Sequence, residues 1–256
     1  MIRRDFIAHT PDEIDRIRAA AQAAAQAREQ IADLVQPGMT TRQLDEMAGA
    51  VIHALGGTPT FLGYGGFPRN ICISVNDVVV HGIANDRTVI QPGDLISVDV
   101  GVTLHGGIGD TAKTVIAGGV SVSKAIERLM AGTQSALEAG IRAARGGFHV
   151  RDISAAVEKE ANAHKLGIVR DLVGHGCGVK LHEPPEVPNF VTRNPGPKLV
   201  PGMVLCIEPM LNLGTGKVYV EPDQWTVRTA DGKASAHFEH MVLITENQPE
   251  VLTRVF

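Results

Sequence analysis

Pro92-Gly93-Asp94-Leu95-Ile96-Ser97-Val98-Asp99 and, 109 positions further on, Pro201-Gly202-Met203-Val204-Leu205-Cys206-Ile207-Glu208 are the two stretches whose reading decides the fold. Each opens on a Pro-Gly turn, runs through apolar residues and reaches a carboxylate. In the first, Ile96, Val98, Val100 and Val102 alternate with Ser97, Asp99 and Gly101, the period-two pattern of a strand with one buried face. Because the turn sets where each strand begins, Asp99 and Glu208 fall at the same strand depth and on the same face. The same offset carries Gly38, ahead of one helical segment, onto Gly147, ahead of another. Turn, helix and carboxylate agreeing at one shift read as an internal duplication.

Outward from these strands, the chain spells α-α-β twice. Thr10-Pro11-Asp12-Glu13 combines a cap, a proline at the first helical position and a capping-box glutamate, and predicts a helix to Leu34, stopped by Pro37-Gly38. Its alanines around residues 19–25 suit close backbone packing. A second helix is expected over Thr41–Leu55, a β-rich stretch over Ile71–Val80, and a partner strand over Thr111–Ala117. Then come helices over Ser121–Ala144 and Val150–His164, and strands at Val204–Ile207, Val218–Val220 and Glu239–Thr245. The expected architecture is α/β: two pseudo-twofold-related halves, about residues 10–118 and 119–250, with antiparallel sheets in the middle and helices outside, forming one domain over 1–256.

Composition narrows the function. The 256 residues are 44% apolar and 20% charged, with 24 Lys+Arg against 28 Asp+Glu and a net charge of -4. No chain-wide basic footprint for nucleic acid exists. Cys72, Cys177 and Cys206 neither pair into a disulfide framework nor form a zinc ribbon. Arg3 and Arg4 precede no apolar h-region, and no run is long enough to span a membrane, so a soluble cytoplasmic protein is expected.

Four clusters carry chemistry. A hairpin turn centred between Leu104 and His105 would set Asp99 directly opposite Asp110, two carboxylates that repel unless a cation lies between them. His175 stands in Gly174-His175-Gly176-Cys177-Gly178, whose glycines allow unusual backbone angles and leave the imidazole uncrowded. It is seven residues before His182, a spacing no helix face would give. Glu208 and Glu239 each adjoin an apolar strand run, where a carboxylate needs a partner. Four strand-borne carboxylates and one imidazole suit two divalent ions, whose charges cancel, and favour Mn²⁺, Fe²⁺, Co²⁺ or Zn²⁺ over a thiolate site. Phe61, Tyr64 and Phe67 are a local aromatic enrichment. His9, His53, His105, His149, His164, His237 and His240 read as surface or packing residues, and Cys177 and Cys206 as buried thiols.

Val79-Val80-His81-Gly82-Ile83, Val98-Asp99-Val100, Gly109-Asp110-Thr111, Gly174-His175-Gly176, Leu181-His182-Glu183, Ile207-Glu208-Pro209-Met210 and Phe238-Glu239-His240 together resemble the type I methionine aminopeptidases of the M24 metallopeptidases, in order and spacing over about residues 10–250. The short N-terminus looks like the minimal bacterial form, without a zinc-finger extension. The resemblance implies the pita-bread fold and removal of the initiator methionine from nascent peptides whose second residue is small. It implies Asp99, Asp110, His175, Glu208 and Glu239 as ligands of two divalent ions, Asp110 and Glu239 bridging, with Glu208 as proton shuttle. His81 would contact the scissile amide and His182 the carbonyl. Phe61, Tyr64, Phe67, Cys72, Leu181 and Trp225 would line the slot for the thioether, with Phe61 and Leu181 departing from the commoner bacterial pattern. It also implies a Na⁺ or K⁺ site at Asn76, Val78 and Ser235, transient contact with the ribosome, and a monomer. The rival readings are an Xaa-Pro aminopeptidase, whose usual extra N-terminal domain has no room here, and a catalytically dead binding protein, which would have lost ligands.

Overall fold

Thr10 caps α1 (Pro11–Leu34) as its sequence predicts: the hydroxyl accepts from the Glu13 amide and the Glu13 carboxylate accepts from the Thr10 amide, two donors that a helix start otherwise leaves unpaired. The computed structural model describes residues 6–255; Arg3 and Arg4 lie outside them. Thr40 and Gln43 repeat the box for α2 (Thr41–Ala54). Next come β1 (Thr58–Pro59), β2 (Cys72–Val75), β3 (Val78–Val80), β4 (Leu95–Leu104) and β5 (Gly107–Ile116). After α3 (Lys124–Ala143) and α4 (Val150–Ala163) the chain forms β6 (Gly167–Ile168), β7 (Gly174–Gly176), β8 (Glu183–Val187), β9 (Val204–Ile207) and β10 (Met210–Asn212). It ends with β11 (Val218–Val220), β12 (Val227–Thr229), β13 (Ser235–His237), β14 (His240–Leu243) and β15 (Glu250–Val251).

All strand pairs are antiparallel. One sheet runs β1-β4-β2 with β5 on the other edge of β4, and a second runs β15-β14-β9-β7-β8. Two three-stranded sheets, β13-β10-β6 and β11-β12-β3, complete the set. The molecule is a mixed α/β protein with two halves of the same α-α-β order. The duplication is visible bond by bond. Gly38 N donates to Ile90 O and Gly147 N to Leu199 O; Ile90 N donates to Met39 O and Leu199 N to Phe148 O. The isolated bridges Thr40–Val89 and His149–Lys198 stand at the same offset. Gly38 and Gly147 share a φ of 91°, and Gly93 and Gly202 have φ of 88° and 92°, left-handed values open to glycine at little cost.

Each half has its own apolar core. Ile31, Leu44, Ile52, Ile96 and Val98 pack together in the first; Leu129, Leu137, Ile153, Val157, Leu205 and Ile207 do so in the second. The α1 alanines serve close approach: a Cβ at Gly109 of β5 would lie 2.3 Å from the Ala20 carbonyl oxygen.

Several boundaries differ from expectation. α3 begins at Lys124, because Ser123 rather than an earlier residue caps it by accepting from Ile126 N. The Ile71–Val80 stretch is two strands, broken at Asn76, whose φ is 55°. The β4–β5 hairpin turns at His105-Gly106, with φ of 52° and 79°, a two-residue turn with both central residues left-handed. The register therefore slips by two from the expected one. Asp99 faces Ala112 and Asp110 faces Gly101, so the two carboxylates are diagonal neighbours on one face rather than directly opposed. Glu208 and Glu239 are not strand-borne: they stand just past β9 and just before β14. The ladder pairs Ile207 with His240, so the two glutamates flank the same end of it.

Candidate metal centre

Strand parity and ladder ends bring the carboxylates to one place. Asp99 and Asp110 project from one face of β4–β5, and Glu208 and Glu239 from the end of β9–β14. His175 on β7 joins them, its Nε2 lying 3.4 Å from Glu208 Oε1 and 3.8 Å from Asp110 Oδ2. All five groups line one cavity of about 510 Å³. Asp110, His175, Glu239 and the Cys206 sulfur offer donor atoms within 4.8 Å of one another. Cys206, read from sequence as a mere buried thiol, is thus part of the cluster's immediate surroundings.

The electrostatics of this place favour a cation. Asp110 and Glu239 are 4% and 3% exposed. Burial, with mutual repulsion added, holds the carboxyls of Asp99, Glu208 and Glu239 well above their usual range, and burial pushes Asp110 up to about 7. Asp99 Oδ1, Asp110 Oδ1, Glu208 Oε1 and Glu239 Oε1 are buried without a hydrogen-bond partner among the described residues. Orphaned buried acceptors are costly. His175 Nδ1 lies 3.0 Å from the Gly176 carbonyl, which makes it the N–H and leaves Nε2 as a bare lone pair. That lone pair then points at two carboxylates, an arrangement that divalent cations stabilise and protein donors here do not. The residues present fit a pair of divalent ions. Gly174 and Gly176 serve packing rather than unusual backbone angles: side chains there would meet the carbonyl oxygens of Cys206 at 2.3 Å and Pro184 at 2.6 Å.

Beside the carboxylates lies an apolar slot. Phe61, Tyr64, Phe67, Cys72, Leu181 and Trp225 all line the same cavity, joined by Leu172 and Met210. Phe67 meets Trp225 edge-on at 5.2 Å. Cys72 is paired with Asp99 across β2 and β4, which puts the slot directly against the strand that carries Asp99. Phe61 occupies the space above Gly101: a Cβ there would fall 2.5 Å from its Cε1.

Two imidazoles close the arrangement. His81 follows β3 with φ of 58°, a left-handed angle that a non-glycine residue rarely adopts. Its ring faces Trp225 at 6.3 Å, and burial followed by the neighbouring His182 pushes its pKa down to about 4. His182 stacks edge-on to His175 at 4.3 Å, and its Nδ1 is 2.7 Å from the Tyr64 hydroxyl.

Sequence reasoning missed three nearby groups. His9 is a packing rather than a surface residue, with Nε2 3.0 Å from Glu183 Oε2, while Glu183 Oε1 accepts from the amides of Val179 and Lys180. His237 is 1% exposed, with Nε2 3.6 Å from Glu208 Oε2. Arg28 is buried beside Thr111. Nothing local in the sequence marks them, since each partner lies far along the chain. Of the proposed monovalent-cation residues, Ser235 N donates to Asn76 O at 2.9 Å, and Val78 pairs with Arg228.

Comparison with known proteins agrees with this geometry. Residues 15–246 match metallopeptidase family M24. The methionine aminopeptidase of Treponema pallidum is 44% identical over 95% of this chain and 94% of its own length. Methionine aminopeptidase 1 of Bacillus subtilis is 42% identical over 98% of this chain and 100% of its own. The crystal structure of methionine aminopeptidase from Thermotoga maritima superposes with a TM-score of 0.94 at 38% identity, covering 98% of this chain and 100% of that one.

Proposed function

The chain belongs to metallopeptidase family M24, and from that premise we propose that it is a di-metal methionine aminopeptidase, removing the initiator methionine from nascent peptides whose second residue is small. What supports the reading most is the convergence of Asp99, Asp110, His175, Glu208 and Glu239, with orphaned carboxylate oxygens, beside an apolar slot with aromatic walls.

We propose those five residues as the ligands, Asp110 and Glu239 bridging. Two divalent ions bound there would polarise the scissile carbonyl and lower the pKa of water. The protein's own groups do the rest. The slot takes the thioether, a flexible and polarisable side chain that suits aromatic walls and the Cys72 sulfur. When the Tyr64 hydroxyl donates to Nδ1 of His182, the opposite ring nitrogen carries the hydrogen and donates to the substrate carbonyl. His81, kept neutral by its surroundings, contacts the scissile amide. Glu208, at the cluster's edge, moves the proton between water and the leaving amine.

We assign Mn²⁺, Fe²⁺, Co²⁺ or Zn²⁺ to the centre, Na⁺ or K⁺ to Asn76, Val78 and Ser235, and a monomer acting in the cytoplasm with transient ribosome contact. One catalytic domain covers residues 1–256, with halves at about 10–118 and 119–250; the recurring hydrogen bonds support this division. Among the described residues no helix is long and apolar enough to cross a membrane.

The test is hydrolysis of Met-Ala-Ser against an Xaa-Pro peptide by chelated protein reloaded with Mn²⁺ or Co²⁺. Release of methionine that disappears in Asp99→Ala and Glu208→Ala supports the proposal. Preference for the Xaa-Pro peptide, or failure to take up metal at micromolar concentration, overturns it.

A further inference from the structure

Arg28 stands out as a buried cation in the alanine face of α1, 6% exposed. Burying a guanidinium is costly unless its donors are used. Here they are. Nε and Nη2 donate to Glu29 Oε1 at 3.0 and 2.7 Å, and Lys113 Nζ holds the other Glu29 oxygen at 2.6 Å. The remaining nitrogen, Nη1, turns inward and donates to Thr111 Oγ1 at 2.5 Å. It also lies 3.5 Å from His240 Nδ1, which the Thr253 hydroxyl reaches at 2.8 Å.

Thr111 passes the contact on. Its hydroxyl donates to the Glu239 carbonyl oxygen at 2.8 Å, and the Glu239 amide donates to the Ala112 carbonyl oxygen at 3.0 Å. Residue 239, from the second half, is thereby stitched to residues 111 and 112 of the first. Thr111 follows Asp110 in the first half and His240 follows Glu239 in the second, and Arg28 Nη1 reaches both Thr111 and His240. Asp110 and Glu239 are the two carboxylates assigned above to both ions, so their spacing matters most for chelation. A donor set displaced by as little as about half an ångström loses its fit to an ion.

We propose that Arg28 is a positioning residue for the metal centre: acting through the Thr111 hydroxyl, it fixes the backbone of Glu239 against that of Asp110 and so sets the affinity for divalent ions. The inference rests on the metal centre proposed above. Arg28 touches neither substrate nor ion; its effect reaches the centre by two hydrogen bonds.

The experiment measures Mn²⁺ binding by calorimetry to the metal-free full chain, with thermal melts in parallel, for wild type, Arg28→Met, Arg28→Lys, Thr111→Val and the Arg28→Met/Thr111→Val pair. Loss of an outer hydrogen-bond partner of a metal ligand weakens affinity about 10–100-fold. We expect Arg28→Met and Thr111→Val each to weaken Mn²⁺ binding by about 10-fold or more. The double variant should be no weaker than the worse single, because one relay is cut in both. Arg28→Lys, which keeps a donor, should recover part of the affinity. Arg28→Met binding Mn²⁺ within a factor of two of wild type, or a double variant whose losses simply multiply, overturns the relay. Where Arg28→Met does not fold, Thr111→Val decides the question: Mn²⁺ binding within a factor of two of wild type overturns the relay. Wild-type protein that takes up no Mn²⁺ overturns the metal centre itself and the relay with it.

Discussion

Gly101→Ala adds one methyl group at the seam between β4 and the apolar slot proposed to take the substrate side chain. Its Cβ would lie 2.5 Å from Phe61 Cε1, 2.9 Å from Cδ1 and 3.0 Å from Cζ. Carbon atoms settle at about 3.5–4.0 Å, so the ring must move by about 1 Å. It cannot carry its backbone away easily, because Thr60 N donates to Gly101 O at 2.9 Å and the Thr60 and Thr103 hydroxyls bond at 2.9 Å. The ring, 8% exposed, therefore swings into the slot. Overpacking of this kind costs about 1–3 kcal/mol, or a melting temperature lower by roughly 5 °C in a domain of this size. A slot shortened by about one methylene discriminates by about 10-fold or more. The assay compares kcat/KM for Met-Ala-Ser with that for a norvalyl peptide, whose side chain is shorter, on reloaded enzyme. We expect the ratio to fall about 10-fold in favour of norvaline, and Phe61→Leu placed on Gly101→Ala to restore stability. A Gly101→Ala protein that melts with wild type and keeps its preference refutes the wedge.

Three further outcomes follow from the same geometry. Tyr64→Phe removes the 2.7 Å bond that selects the His182 tautomer; kcat should fall about 3- to 10-fold, the equivalent of one hydrogen bond, with metal stoichiometry unchanged, and a fall in bound metal would point to a different role for Tyr64. Asp45→Ala deprives the amides of Asn70 and Ile71 of their acceptor at 2.9 and 3.1 Å and should cost about 1–3 kcal/mol per amide in urea melts; a loss under 0.5 kcal/mol, the ordinary range for an exposed surface site, would be inconsistent with that anchoring. In the ion-free protein, burial holds Asp99, Glu208 and Glu239 protonated well above their usual range and Asp110 to about 7. Ion binding must expel those protons, so Mn²⁺ affinity should climb with pH from about 6 to 8, and calorimetry showing flat affinity across that window would contradict the buried acid cluster.

Much of this molecule was legible from residue chemistry alone, for identifiable reasons. Thr10 with Glu13 acts locally, within one helical turn, so that helix start needed no tertiary information; the same box at Thr40 and Gln43 is equally local but went unread. The duplication was legible because Gly38, Gly93, Gly147 and Gly202 occupy left-handed positions that few other residues fill, which preserves them at one offset. The hairpin register was not, because His105 enters the left-handed region without the asparagine or aspartate that usually announces such a turn. The strand before Glu208 ends at Ile207 as expected, but Glu239 was placed one residue inside a strand that begins at His240: apolar runs mark a strand's interior, whereas ladder hydrogen bonds decide its end. Phe61 was recognised as unusual, yet its counterpart Gly101 was not, since the two meet only in space. Arg28 and His9 were illegible for the same reason, their partners Thr111 and Glu183 being distant in sequence.

Five side chains drawn from both halves are proposed to hold two ions at one point. Anomalous diffraction at the manganese edge, from crystals of the chelated protein soaked in Mn²⁺, tests it most directly. Two peaks about 3.5–4 Å apart are expected, with Asp110 and Glu239 reaching both, Asp99 reaching one, and His175 with Glu208 reaching the other. Manganese bound elsewhere, or no peak among these carboxylates while the protein remains folded, would contradict it.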